Sequence, residues 1–193
     1  MIMDKQEVID FFDKRAELWD SIQVRNEEVI DFILKKADVT KGKHILDIAC
    51  GTGVLFPDYL LRGVKVTGVD ISPEMVRIAK EKFPQVQVLC ADAETYSFEQ
   101  EYDIAMIYNA FPHFAQVEKL FANVSSALKL GGRLTVAHGI SEKELEECHK
   151  GAAENISVPL VKKEILADMM SPWFEVDVLI SDERMYMVSG VKK

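Results

Sequence analysis

The chain has 193 residues, 48% of them apolar and 28% charged, with a net charge of −9 at pH 7. That length suits one medium domain with a two-sided core, and the ordinary composition excludes a long disordered tract. The acidic balance opposes nucleic acid as a partner, since phosphates need a surplus of Lys and Arg, and no apolar run reaches the length of a membrane span.

Cys50, Cys90 and Cys148 are odd in number, lack metal-type spacing and point to a reducing compartment. Asp4, Glu7 and Asp10 stand where a secretion signal would be basic and then apolar, so a cytoplasmic location is the expectation. The basic group Lys35, Lys36, Lys41 and Lys43 reads as a solvated helix end.

Residues 4–19 read as an amphipathic helix with Val8, Ile9, Phe12, Leu18 and Trp19 as apolar members. Residues 26–36 read as a second, with Val29, Ile30, Ile33 and Leu34 on one face. A strand over 44–49, a helix over 54–62 and a strand over 64–70 follow. Ser72 caps the next helix, which runs to about Lys82, and Pro73 suits its first turn, where no N–H is needed. Strands are predicted over 86–90 and 102–108, then a helix over 117–128 closed by a left-handed glycine of Leu130-Gly131-Gly132. A fifth strand covers 134–138. Ser141-x-x-Glu144 is a capping box that starts a helix to about Lys150, and a helix over 162–170 stops before Pro172. Runs over 174–180 and 185–191, joined by Ser181-Asp182-Glu183, read as a hairpin.

Five strand–helix units imply a parallel sheet with helices on both faces, and the hairpin adds an antiparallel strand at or near one edge. Ligands of such sheets bind at the carboxyl ends of the strands, where strand order reverses. Those ends carry the turn Ala49-Cys50-Gly51-Thr52-Gly53, then Asp70, Asp92 and Tyr108-Asn109.

The turn resembles a nucleotide-binding loop but lacks the pyrophosphate signature. A dinucleotide site wants a small residue where Phe56 or Val54 stands, and no Gly-Lys-Ser/Thr follows for a phosphate loop. A nicotinamide-dependent oxidoreductase is thereby opposed. Asp70 ends the second strand, and its carboxylate can accept from both hydroxyls of a ribose while repelling a 2′-phosphate. Asp92 can accept from the exocyclic amine of adenine, with Ile71 and Ala93 against its faces. Adenine, ribose and a zwitterionic tail without phosphate describe S-adenosyl-L-methionine.

These residues carry a resemblance. Ile45-Leu46-Asp47-Ile48-Ala49-Cys50-Gly51-Thr52-Gly53 resembles the first motif of class I S-adenosylmethionine-dependent methyltransferases, and Val66 to Met75 their second. Cys90-Ala91-Asp92-Ala93 resembles the third, Tyr102 through Phe114 the fourth, and Leu130-Gly131-Gly132-Arg133-Leu134 the fifth. The resemblance implies an α/β, Rossmann-like three-layer sandwich: a seven-stranded, mostly parallel sheet with an antiparallel last strand. It implies Gly51 and Gly53 under the methionine portion with Asp47 nearby, Asp70 on the ribose and Asp92 on the adenine amine. Ala49, Thr52, Ser72, Met75, Asn109 and Trp19 complete the expected cofactor-binding set. Ala49 departs from the glycine that many members carry. Residues 1–40 are expected to form a helical lid over a compact cofactor-binding unit, 41–193.

On the acceptor side, Phe12-x-x-x-Ala16-x-x-Trp19-Asp20 resembles the lid segment of small-molecule members. Tyr108-Asn109-Ala110-Phe111 replaces the Asn/Asp-Pro-Pro-aromatic loop of relatives that methylate nucleobases or glutamine, which argues against those acceptors. An oxygen or thiol acceptor would need a base, for which His113, Tyr108 and His138 are candidates. His113, His138 and His149 lack close ligand spacing, so no metal is expected. The expected partner is a small-molecule methyl acceptor, with a homodimer left open. RNA or protein methylation, and a non-catalytic cofactor-binding protein, are the alternatives.

Overall fold

A computed structural model describes residues 3–99, 101–148 and 156–193. One seven-stranded sheet has the order β3-β2-β1-β4-β5-β7-β6. Its strands are β1 (His44–Ile48), β2 (Lys65–Asp70), β3 (Gln87–Cys90), β4 (Tyr102–Tyr108), β5 (Leu128–His138), β6 (Phe174–Ser181) and β7 (Tyr186–Lys192). β7 runs antiparallel to both β5 and β6, and every other pair is parallel. The expected α/β class and the antiparallel last strand are both present, with β7 inserted one place in from the edge.

Continuous apolar runs place β1 and β4 in the interior, because strands covered on both faces cannot alternate with polar residues. Ile45, Leu46 and Ile48 are fully buried, as are Ile104 through Ile107. One face of the sheet packs against α6 (Val117–Ala127) through Leu120, Phe121 and Val124, and against α8 (Lys163–Met170) through Leu166 and Met170. The other face meets α3 (Glu27–Lys36), α4 (Phe56–Leu61) and α5 (Pro73–Lys82) through Ile30, Ile33, Phe56, Tyr59, Val76 and Ala79. Each of these larger side chains contributes about 1.5–3 kcal/mol by leaving water. The strand order reverses beside β1, whose neighbours are β2 on one side and β4 on the other, and this opens a crevice at the carboxyl end.

Several boundaries differ from the sequence expectations. The helix predicted over 4–19 is broken: α1 spans Lys5–Asp13, a 3-10 turn spans Ala16–Leu18, and a short α2 spans Trp19–Ile22. The bend buries Ala16 and accompanies a tertiary contact, in which Asp13 caps the start of α5 by accepting from Glu74 N at 3.2 Å. The helix predicted from residue 54 starts at Phe56, after a run of turns. Gly131 has the expected left-handed backbone (φ +75°) but does not cap α6. α6 ends at Ala127, and Gly131 lies in an irregularity of β5, where pairing jumps from Tyr102–Leu128 to Ile104–Arg133. β5 therefore begins six residues earlier than the predicted start at 134. α7 is Glu142–Cys148, and His149 lies outside the described residues. No helix among the described residues is long and apolar enough to cross a membrane.

Candidate active site

At the carboxyl end of β1 the backbone turns through three left-handed residues: Ala49 (φ +55°), Gly51 (φ +55°) and Gly53 (φ +84°). An L side chain at such a φ costs roughly 1–2 kcal/mol, so Ala49 is a strained substitute for glycine. At Gly53 a Cβ would lie 2.7 Å from Phe56 and 2.9 Å from Phe83, so only glycine fits between these rings. At Gly51 a Cβ would stand 3.5 Å from Trp19 Nε1. The missing side chain thus leaves the cleft floor open beneath the Trp19 indole.

Asp70 closes β2 and is buried. Its Oδ2 accepts the Gly51 N–H at 2.8 Å and its Oδ1 accepts the Ser72 N–H at 2.9 Å. The Ile71 N–H bonds to the carboxylate as well, so three backbone donors fix its orientation. Burial pushes this carboxyl up to about 6, against the pull of the Ser72, Gly51 and Ile71 N–H groups. Asp47, deeper on β1, accepts from the Tyr59 hydroxyl at 3.4 Å. Burial pushes it up to about 8, the Tyr59 bond opposes, and the nearby Asp70 charge adds to the rise. Two acids held back from ionising form a site that a cationic ligand stabilises.

Asp92, beyond β3, accepts from Glu94 N at 3.0 Å and pairs with Lys5 of α1. Asn109, beyond β4, is left-handed (φ +54°), and its Oδ1 accepts from Gly139 N at 2.9 Å, tying the β4 and β5 ends together. Burial pushes the Tyr108 phenol up to about 12, so it stays protonated at neutral pH. His113 sits in the 3-10 turn Phe111–His113. Its Nδ1 lies 2.9 Å from the Ile156 carbonyl, which can only accept, so Nδ1 carries the proton.

Residues 3–25 form a strap across this rim. Phe12 stacks edge-on against both Trp19 (5.4 Å) and His113 (5.1 Å). The cleft beneath the strap measures about 1000 Å³ with its open mouth included. Of the expected residues, Trp19, Asp47, Ala49, Gly51, Asp70, Ile71, Met75, Asp92, Ala93, Tyr108, Asn109 and His113 line it. Thr52, Gly53, Ser72 and His138 do not. Thr52 is buried and donates to Asp20 Oδ1 at 2.5 Å. Ser72 caps α5 by accepting from Met75 N. Gly53 is wedged between phenylalanine rings. His138 is fully buried, its ring 6.0 Å from Tyr186. Sequence reading missed Lys5, Gln23 and Glu94, which also line the cleft. Among the described residues no cluster of His, Cys, Asp or Glu could hold a metal ion.

With this geometry established, comparison with known proteins places it. A methyltransferase-domain family matches residues 45–132, the stretch from β1 to the Gly131 bulge. Residues 45–132 thus carry the likeness of a methyltransferase domain. It is similar to a ubiquinone biosynthesis O-methyltransferase of Coxiella burnetii, at 29% identity over 68% of this chain and 61% of that protein. It is also similar to malonyl-[acyl-carrier protein] O-methyltransferase 1 of Ilyobacter polytropus, at 30% identity over 69% of this chain. The chain spans only 61% and 52% of the lengths of these two relatives. In fold it is similar to the N-methyltransferase NodS of Bradyrhizobium japonicum, solved with S-adenosyl-l-homocysteine. The TM-score is 0.75 at 12% identity, covering 96% of this chain and 98% of that one. The matched stretch contains the glycine turn, Asp47, Asp70 and Asp92.

Proposed function

We propose that this chain transfers the methyl group of S-adenosyl-L-methionine to a small-molecule acceptor. The observation that carries the reading is the place of Asp70: it closes β2, lines the cleft, and its carboxylate is held in position by the Gly51, Ser72 and Ile71 N–H groups. A carboxylate so fixed at a strand end is a ready acceptor for ribose hydroxyls. Asp92 accepts the adenine amine, Ile71 and Ala93 contact the base, and the open floor at Gly51 takes the methionyl portion. Asp70, ionised at neutral pH, supplies the negative field that a sulfonium and an ammonium need. The relatives named above, an O-methyltransferase of ubiquinone biosynthesis and one acting on a malonyl carrier protein, support methyl transfer and leave the acceptor open.

The sulfonium supplies an activated methyl group with a good leaving group, so the protein's task is alignment and exclusion of water. α1 and α2 do this work as the lid. Phe12 and Trp19 wall the acceptor end, whereas α3 is part of the core layer. For an acceptor that must lose a proton, His113 is the candidate base: it lines the cleft, and the Ile156 carbonyl fixes the proton on its Nδ1. Tyr108 holds its own proton too tightly, and His138 lies outside the cleft.

The test is a panel of small hydroxyl, thiol and amine metabolites incubated with methyl-labelled donor. Label transferred to a small molecule is expected. Measured cofactor binding with no transfer to any small acceptor, or transfer only to RNA or protein, would refute the reading.

A further inference from the structure

Lys5, in the first turn of α1, reaches across 87 residues of sequence into the adenine end of the cleft. Its Nζ pairs with Asp92 Oδ2 and, at 2.5 Å, with Glu94 Oε2. The two acids differ in kind. The Glu94 side chain is 1% exposed, and its other oxygen accepts the Gln116 N–H at 2.6 Å. A carboxylate so buried needs a standing counter-charge. Asp92 is more open, at 24% exposure. It already accepts the Glu94 N–H on Oδ1, at 3.0 Å, and the Thr95 hydroxyl on Oδ2, at 3.3 Å. With Lys5 also on Oδ2, little of Asp92 is left to receive an adenine amine.

The rest of the strap is held by a small buried cluster of Met3, Val8 and Ile156, by the buried Thr52 hydroxyl on Asp20, and by pairs nearer the surface. Glu17 pairs with Arg77, Lys82 with Asp20, and Asp13 accepts from Ser72 Oγ and Glu74 N. The surface pairs are individually weak. Lys5 is the one strap residue whose ion pair falls on an acid assigned to the cofactor.

Resting on the function proposed above, we propose that Lys5 competes with the cofactor for Asp92. Its ammonium holds Asp92 until an adenine amine takes that place, and Lys5 then stays on Glu94. Each binding event therefore breaks one tie of the strap, and the enzyme holds its own cofactor less tightly than the cleft alone would allow.

S-adenosylhomocysteine, which is uncharged overall at neutral pH, is the probe, with affinity read by calorimetry. The variant is Lys5→Gln with Glu94→Gln, which frees Asp92 without leaving a buried charge unpartnered. It is expected to bind about three- to fivefold more tightly than the wild type, the worth of a partly exposed ion pair. Lys5→Arg keeps the charge and is expected to bind like the wild type. Without any variant, wild-type affinity is expected to rise with ionic strength as the pair is screened, and the double variant to be insensitive. Equal or weaker binding by the double variant, or wild-type affinity flat or falling with salt, overturns the proposal. Absence of binding by every form would instead overturn the cofactor assignment itself, and this inference with it.

Discussion

The glycine-turn wall of the cleft and the strap wall enclose the same space by different means. The turn wall grows out of β1 and β2, which are buried beyond their first residues, and its acids are fixed by backbone N–H groups and neighbours within the sheet. The strap wall is held by a small apolar cluster of Met3, Val8 and Ile156 and by ion pairs near the surface, such as Glu17 with Arg77 and Lys82 with Asp20. A wall built on the core is precise and costly to disturb. A wall held in part by screened charges is less costly to disturb. The cleft thus pairs a wall fixed in the core with one held largely by side-chain contacts.

Substitutions that break the rigid wall have the largest expected effects. Gly53→Val meets the Phe56 and Phe83 rings at a left-handed φ, and is expected to cost about 3 kcal/mol or more of stability in a denaturant titration. Asp70→Ala removes the charged acceptor of the ribose hydroxyls and is expected to weaken cofactor binding at least about tenfold, read by calorimetry. An unchanged affinity would detach the cofactor from β2.

The buried acids sharpen the contrast through pH. The Asp47 carboxyl is raised to about 8, so the folded protein favours its neutral form more than the unfolded chain does. Stability from this residue is therefore lost as pH rises from the ordinary carboxyl range toward 8. Asp47→Asn removes that loss. Its melting temperature relative to the wild type is expected to climb between pH 5 and pH 8 and then level off. A difference independent of pH would mean that Asp47 is ionised throughout. The smallest effect belongs to the strap: Glu17→Gln is expected to change stability by no more than about 0.5 kcal/mol, since the pair it breaks is exposed.

What could be read from the sequence follows the same division. The apolar run ending at Ile48, the glycine turn, and the acids closing β2 and following β3 are local patterns, and they fell where expected. The strap did not. An amphipathic pattern over residues 4–19 carries no mark of the break after Asp13, where the chain meets α5 through Asp13 in a contact distant in sequence. Lys5 and Glu94 meet only in the folded chain, and nothing in their neighbourhoods signals it. Thr52 and Ser72 sit inside the recognised motifs yet point away from the cleft, one to Asp20 and one to the start of α5. A motif locates a turn, while the direction of each side chain within it is decided by packing. Gly131 makes the same point: its left-handed backbone was legible, but the bulge that uses it depends on the pairing of β5 with β4.

The most direct test is a solved complex with S-adenosylhomocysteine. The account predicts both ribose hydroxyls on the two oxygens of Asp70, the adenine amine on Asp92, and the amino-acid tail over Gly51 beneath Trp19. A complex with the nucleoside elsewhere, or with Asp70 making only its bonds to the Gly51 and Ser72 amides, would contradict it.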